Sequence, residues 1–274
     1  MTNPRRDVDV GIELARVPRD WCADDAFSTT FMAALSLLFP RGEQFFVDSV
    51  KQLRHHATGE LAVRVHGFIG QEAMHGREHR AFNELCAAQG LRGGPGIERR
   101  LARLLGAARH LSPESQLAIT CALEHFTAML AEQLLANERL RGEIHPAVRP
   151  LWLWHALEES EHKAVAFDVY RAAGGGTLRR VWMMVVTTAM FFAVQGAAHA
   201  RLMGSRGILL RPWRWLRGIA RMWIWPGYFI RLVPAYLSYF RPGFHPNDRD
   251  NGALVATWRG ALFGEAGMLR DRVA

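Results

Sequence analysis

The chain predicts an all-α protein, a four-helix bundle followed by further apolar and aromatic C-terminal helices. Three observations predict this. Apolar residues recur at helical spacing along most of the 274 residues, without a clear run of alternating strand pattern. Gly and Pro breakers divide the chain into segments of helical length. Two Glu-x-x-His pairs, Glu72/His75 and Glu159/His162, sit at matching depth on two of those segments, and two other segments carry a lone Glu each.

Taken in order, residues 1–23 read as an extended lead-in. A helix covers about 25–38, Pro40-Arg-Gly42 is expected to break it, and a second segment runs from Glu43 to His56. Thr58-Gly59 marks a turn. A long helix covers about 60–89 and stops at Gly90, with Gly93-Gly-Pro-Gly96 as a firm breaker, and a short helix follows over 97–109. Ser112-Pro113 supplies an N-cap and a proline at the first helical position for a helix reaching about 141. His145-Pro146 opens the next, which ends near Ala173 before Gly174-Gly-Gly176. The expected organisation is a lead-in (1–23), a bundle (24–176) and an extension packed on it (177–274).

An apolar content of 49% suffices for a sizeable core. The net charge of +8 is carried by arginine, since Lys51 and Lys163 are the only lysines. Such a balance suits anionic lipid, nucleic acid or an acidic substrate. The chain carries no nucleic-acid fingerprint, so nucleic acid is not an expected partner. Cys22, Cys86 and Cys121 are odd in number and far apart, which argues against a disulfide framework or a Cys-x-x-Cys metal site and for a reducing compartment. The start lacks the apolar run of a secretory signal, and the expected location is cytoplasmic.

Positions i and i+3 share a helix face, so a Glu and a His at that spacing can chelate one small site. Sixteen Glu and twelve His would give about 0.7 such pairs by chance, so context has to carry the inference. In the first pair's helix, Val65, Phe68, Ile69, Glu72, His75, His79 and Phe82 form one stripe. In the second, Trp152, His155, Glu159, His162 and Ala166 do the same. Glu124 lies between Leu117, Cys121 and Ala128, and Glu43 beside Phe39, Phe46 and Val47. Carboxylates and imidazoles in such stripes are costly to bury unless paired or metal-bound. Counting from the turns brings Glu43 and Glu72 to heights within roughly 3 Å on antiparallel helices. Glu124 meets Glu159 and His162 by the same count. The candidate ligands are therefore Glu43, Glu72, His75, Glu124, Glu159 and His162. Glu78, His79, His125, Glu158 and Glu161 are extra candidates, expected as outer partners or surface groups, and Glu159 is preferred to Glu158 because the first pair also uses i,i+3.

The order Glu, Glu-x-x-His, Glu, Glu-x-x-His resembles the ferritin-like di-iron carboxylate proteins. The string His155-x-x-x-Glu159-x-x-His162 resembles the p-aminobenzoate N-oxygenase type of di-iron enzyme, and that resemblance implies His155 as a seventh ligand. The strings Leu35-Ser-Leu-Leu-Phe-Pro-Arg-Gly-Glu43, Gly70-Gln-Glu-Ala-Met-His-Gly-Arg-Glu-His79 and Leu157-Glu-Glu-Ser-Glu-His-Lys-Ala-Val-Ala-Phe167 resemble a bacterial family labelled "predicted metal-dependent hydrolase", over most of residues 20–240.

Carboxylate and imidazole ligands without thiolate suit Fe or Mn and can hold Zn. Two iron ions with O2 as co-substrate would make a di-iron oxygenase or oxidase acting on a small apolar or aromatic molecule, N-oxygenation included. A redox-inert pair would activate water for hydrolysis. A third alternative is a ferritin-like metal-binding or O2-sensing protein without turnover. The sequence names no electron donor, and a homodimer is expected from fold analogy alone. Residues 181–200 are free of Asp, Glu, Lys and Arg and twenty long, so they fit a fifth packed helix or a bilayer span, with Gln195 and His199 favouring the packed helix. Arg interleaved with Trp and Tyr over 208–240 fits either an aromatic lid or a peripheral contact of 181–240 with the inner face of the membrane.

Overall fold

The computed structural model describes residues 3–273. Among these residues the regular structure is helical, with only two isolated bridges, Val8–Val273 and Cys22–Ile144. The all-α expectation holds.

Helix α1 (Ala26–Leu53) starts at Asp25, whose carboxylate accepts from the Ser28 N–H at 2.9 Å. It runs unbroken through Pro40, correcting the expected interruption at 38–43. The physical reason lies across the bundle. Pro40 leaves the Ser36 carbonyl without its helical donor, and the Asn83 side-chain amide supplies one at 3.2 Å. Helix α2 (Gly59–Ala88) returns antiparallel to α1. Gly90, at φ +92°, follows its end, a conformation that glycine adopts without a Cβ penalty. The crossover helix α3 (Gly94–Ala108) packs on α1.

Helix α4 (Pro113–Ala136) is capped by the Ser112 hydroxyl, which accepts from the Ser115 N–H at 3.3 Å. It ends at Ala136, not near 141, because Asn137 caps a separate short helix α5 (Glu138–Gly142) through the Leu140 N–H. The next helix also departs from expectation. It begins at Arg149, after a turn at His145–Val148, and divides behind His162 into α6 (Arg149–His162) and α7 (Val165–Ala172). Helices α1, α2, α4 and α6–α7 form the bundle. Two apolar cores lie along it, one around Trp21, Leu37, Phe82 and Leu153, the other around Phe46, Phe68, Leu117 and Tyr170. On α1, α2 and α6–α7 the polar layer of Glu43, Glu72, Glu159 and His162 falls between them.

Helix α8 (Thr177–Ser205) extends beyond the expected 181–200 and lies against α1 and α4. Its polar residues face inward: Gln195 Nε2 donates to Phe31 O at 3.0 Å and His199 Nε2 to Phe27 O at 3.1 Å. By length and composition α8 could cross a membrane. Those two anchors, with buried Met184, Ala198 and Leu202, dock it on the bundle. Only 22% of its most apolar stretch is buried, so its outer face stays open. Helices α9 (Pro212–Trp223) and α10 (Val233–Ser238) follow. Helix α11 (Gly252–Phe263) folds back on the bundle, where Trp258 Nε1 donates to Leu135 O at 2.9 Å.

Candidate metal centre

Each bundle helix delivers its sequence-predicted residues to one buried point. Glu43 comes from α1, Glu72 and His75 from α2, Glu124 from α4, and His155, Glu159 and His162 from α6. All seven are buried, and the four carboxylates are at most 2% exposed. Their separations define two poles. Glu43, His75 and His155 form one group and Glu72, Glu124 and His162 another, with ligand atoms within 4.8 Å of one another in each. Glu159 Oε1 lies 3.6 Å from His75 Nδ1 and 3.2 Å from His155 Nε2, whereas its Oε2 lies 3.6 Å from His162 Nε2. Glu72 Oε1 lies 3.0 Å from His162 Nε2 and its Oε2 3.9 Å from His75 Nδ1. Glu72 and Glu159 thus present one oxygen to each pole.

Despite these approaches, no oxygen of Glu43, Glu72, Glu124 or Glu159 has a hydrogen-bond partner, and neither do His75 Nδ1, His155 Nε2 and His162 Nε2. Buried polar atoms are normally satisfied by hydrogen bonds. The unpartnered atoms here are the inward-facing ones of a single cluster, and their types are those of an oxygen–imidazole cation site. The donor set fits a cation pair.

The outer ring nitrogens are all engaged. His75 Nε2 meets Glu158 at 3.1 Å, and His162 Nδ1 meets Gln71 Oε1 at 3.0 Å. His155 Nδ1 meets His79 Nε2 at 2.8 Å, and His79 Nδ1 meets Ser36 Oγ at 2.8 Å. The chain behind His155 has one consistent proton arrangement. The Ser36 hydroxyl has a single hydrogen and donates it to Asn83 Oδ1 at 2.7 Å. Ser36 Oγ must then accept from His79 Nδ1–H. Burial, followed by the neighbouring His155 and His75, holds the His79 pKa well below its ordinary value, so the ring is neutral and its Nε2 accepts from His155 Nδ1–H. His155 Nε2 is then the ring nitrogen left facing the centre, where a bound cation would take its lone pair. Such outer contacts fix the tautomer of a metal-binding imidazole.

Electrostatics describe the same cluster with protons in place of cations. Burial, then the other carboxylates, pushes Glu43 and Glu124 well above the carboxylate range. Burial raises Glu72 to about 7 against the pull of His162. Burial works against charge on His162, but Glu159, Glu72 and Glu124 outweigh it and hold the imidazole well above its usual value. Burial also opposes charge on Glu159, which His162 and His155 nevertheless keep ionised. Behind His75, Arg6 meets Glu158 at 2.8 Å and Glu161 at 2.7 Å, and Arg259 meets Glu161 at 2.7 Å.

Among the extra candidates, Glu158, His79 and Glu161 sit directly behind the centre. Glu78 accepts from the Val10 N–H at 3.0 Å, and His125 points away to Ala235 O at 3.0 Å. Sequence reasoning missed Ser36, Gln71, Asn83 and Arg6. Ser36, Gln71 and Asn83 carried a signal, being polar positions within apolar helical stretches. Arg6 carried none, because an extended segment has no periodicity that points it at α6.

An apolar, partly open cavity of about 390 Å³ adjoins the centre, walled by α1, α3, α4 and α8. Leu38, Leu104, Leu123, Phe126 and Met190 line it, and Glu43 is its one ionisable wall. Phe39 also lines it, with its ring 4.5 Å from that of His155. Thr127 Oγ1 is committed to Glu124 O at 3.1 Å, while Thr187 Oγ1, also in the wall, is buried without a partner.

Fold and site together define a helical-bundle protein with a buried carboxylate–histidine centre suited to metal. The chain belongs to the family described as "predicted metal-dependent hydrolase", which matches residues 4–250. No curated protein and no solved structure matches it.

Proposed function

We propose that the protein is a di-iron oxygenase or oxidase that uses O2 to oxidise a small apolar or aromatic molecule bound in the cavity beside Glu43. Glu43, His75 and His155 would hold one ion and Glu124 and His162 the other, with Glu72 and Glu159 shared. Iron there would supply O2 activation, and a redox-inert pair would supply an activated water. Insertion of one oxygen atom, with the other leaving as water, takes two electrons and two protons from an external reductant.

The cavity lining carries this choice. Beyond Glu43 it offers no ionisable side chain, and Thr187 Oγ1 is its one uncommitted hydroxyl. A two-metal hydrolase draws its oxyanion stabilisation from the cations but still needs an acid for a poor leaving group, and the lining offers none beyond Glu43. Oxidation of a C–H or N–H bond needs no such acid, and an apolar wall binds a substrate of that kind. Thr187 would orient a substrate bearing one hydrogen-bonding group. The family description favours a second reading, a two-metal hydrolase acting through metal-activated water.

Metal analysis after aerobic purification tests the proposal. Two equivalents of iron per chain, lost in Glu72→Ala and Glu159→Ala, are expected, together with O2 consumption on adding ferrous iron and reductant. Zinc-supported, O2-independent ester hydrolysis would favour the second reading. Zinc retained in both variants would remove the assigned ligands from consideration.

A further inference from the structure

We propose that the outer face of α9 docks on an anionic lipid surface. The helix is seated from one side only. A Cβ on Gly218 would lie 2.2 Å from the Phe27 ring, so this position must be glycine for α9 to lie against α1. Trp215 packs edge-on against Phe27, with ring centroids 5.6 Å apart, and its Nε1 donates to Leu209 O. Trp213, Leu216, Ile219 and Trp223, three or four residues apart, share a face turned away from Gly218 and are 43–73% exposed, with Trp223 also stacked on Phe229 at 5.5 Å. Leu210 before the helix and Ile224 and Trp225 after it are each at least 70% exposed. A folded chain does not ordinarily leave so many large apolar side chains in water on one short helix.

The charge around the stripe selects the occupant. Between Asp168 and Asp248 the chain has no acidic residue and eleven arginines. Arg214 and Arg221 lie on the other side of the helix and reach back to Asp25 at 3.3 Å and Glu143 at 2.5 Å. Arg217, beside the stripe, and Arg211, at the start of the helix, are exposed, with no acidic partner among the described residues. A second copy docking through this face would bring Arg211 and Arg217 of both chains to one seam without an acidic partner. An anionic bilayer matches both features: Trp and Leu enter the headgroup boundary, while the guanidinium groups reach the phosphates from apolar stems. The docking is independent of the chemistry at the metal centre.

Co-sedimentation of the metal-loaded full chain with phosphatidylcholine vesicles, with and without phosphatidylglycerol, tests this. Binding to the anionic vesicles alone, weakened by salt and accompanied by a blue shift of tryptophan emission, is expected. Trp213→Glu with Trp223→Glu should weaken binding by about tenfold or more. Arg211→Gln and Arg217→Gln should each weaken it about fivefold. Helical content and metal content should be unchanged, and Leu216→Glu serves if the double variant does not fold. Three results would overturn the proposal: no binding of folded protein to anionic vesicles, equal binding by the variants, or a dimer in solution that the Trp variants split.

Discussion

Asn83→Leu probes the link between helix integrity and the metal centre. The substitution removes two functions at once. The Ser36 carbonyl, orphaned by Pro40, loses the amide that donates to it at 3.2 Å. The Ser36 hydroxyl loses its acceptor at 2.7 Å and turns to His79 Nδ1. His79 must then carry its proton on Nε2, and His155 must move its own to the nitrogen that faces the centre. The unsatisfied carbonyl costs about 1–3 kcal/mol, a fall in Tm of roughly 2–12 °C at about 2–4 °C per kcal/mol. The altered His155 tautomer should weaken one cation by about 10–100-fold, the usual effect of losing an outer contact to a ligand. Pro40→Ala separates the two effects, because it returns the helical N–H to the Ser36 carbonyl without restoring the acceptor. The double variant should recover most of the lost Tm and none of the lost affinity, read by calorimetric titration of both proteins. Affinity recovering together with Tm would refute the proton arrangement assigned to Ser36, His79 and His155.

Arg6→Ala leaves Glu158 buried without its cation, and a loss of about 3 kcal/mol is expected, the low end for a broken buried pair because Arg259 still meets Glu161; a denaturant midpoint equal to that of the parent chain would contradict it. In the cation-free chain burial lifts Glu72 to about 7, and Glu43, Glu124 and His162 hold their protons above the usual ranges. An incoming cation must displace these protons, so apparent affinity should rise with pH through about 7 and fall below it; titrations in buffers of different ionisation enthalpy should register the release, and a pH-independent affinity would count against it. Leu123→Trp narrows the cavity and should weaken binding of an indole-sized aromatic probe by roughly tenfold or more, with bound iron unchanged; unaltered probe binding would place the ligand elsewhere.

What the sequence disclosed and what it hid follow from the range of the interactions. Glu72/His75 and Glu159/His162 were legible because i,i+3 spacing is a local property of a helix, and because a polar group in an apolar stripe is conspicuous. The meeting of Glu43 with Glu72 could be counted from the turns. Pro40 misled because its effect is decided by Asn83, 43 positions further on, whose amide replaces the missing N–H. The division after His162 and the short α5 depend on local backbone geometry that periodicity does not report. Arg6 reaches Glu158 from an extended segment 152 residues away in sequence, a contact that no pattern along one helix can announce. For α8, apolar composition alone could not reveal the packing on α1; Gln195 and His199, donating to Phe31 and Phe27, show it.

Anomalous diffraction at the iron edge, on crystals of protein loaded with ferrous iron, addresses the convergence of Glu43, Glu72, His75, Glu124, His155, Glu159 and His162 most directly. Two peaks about 3.5–4 Å apart, one beside His75 and His155 and the other beside His162, are predicted. A single peak outside the bundle, or none with all seven side chains still packed together, would contradict a two-cation centre.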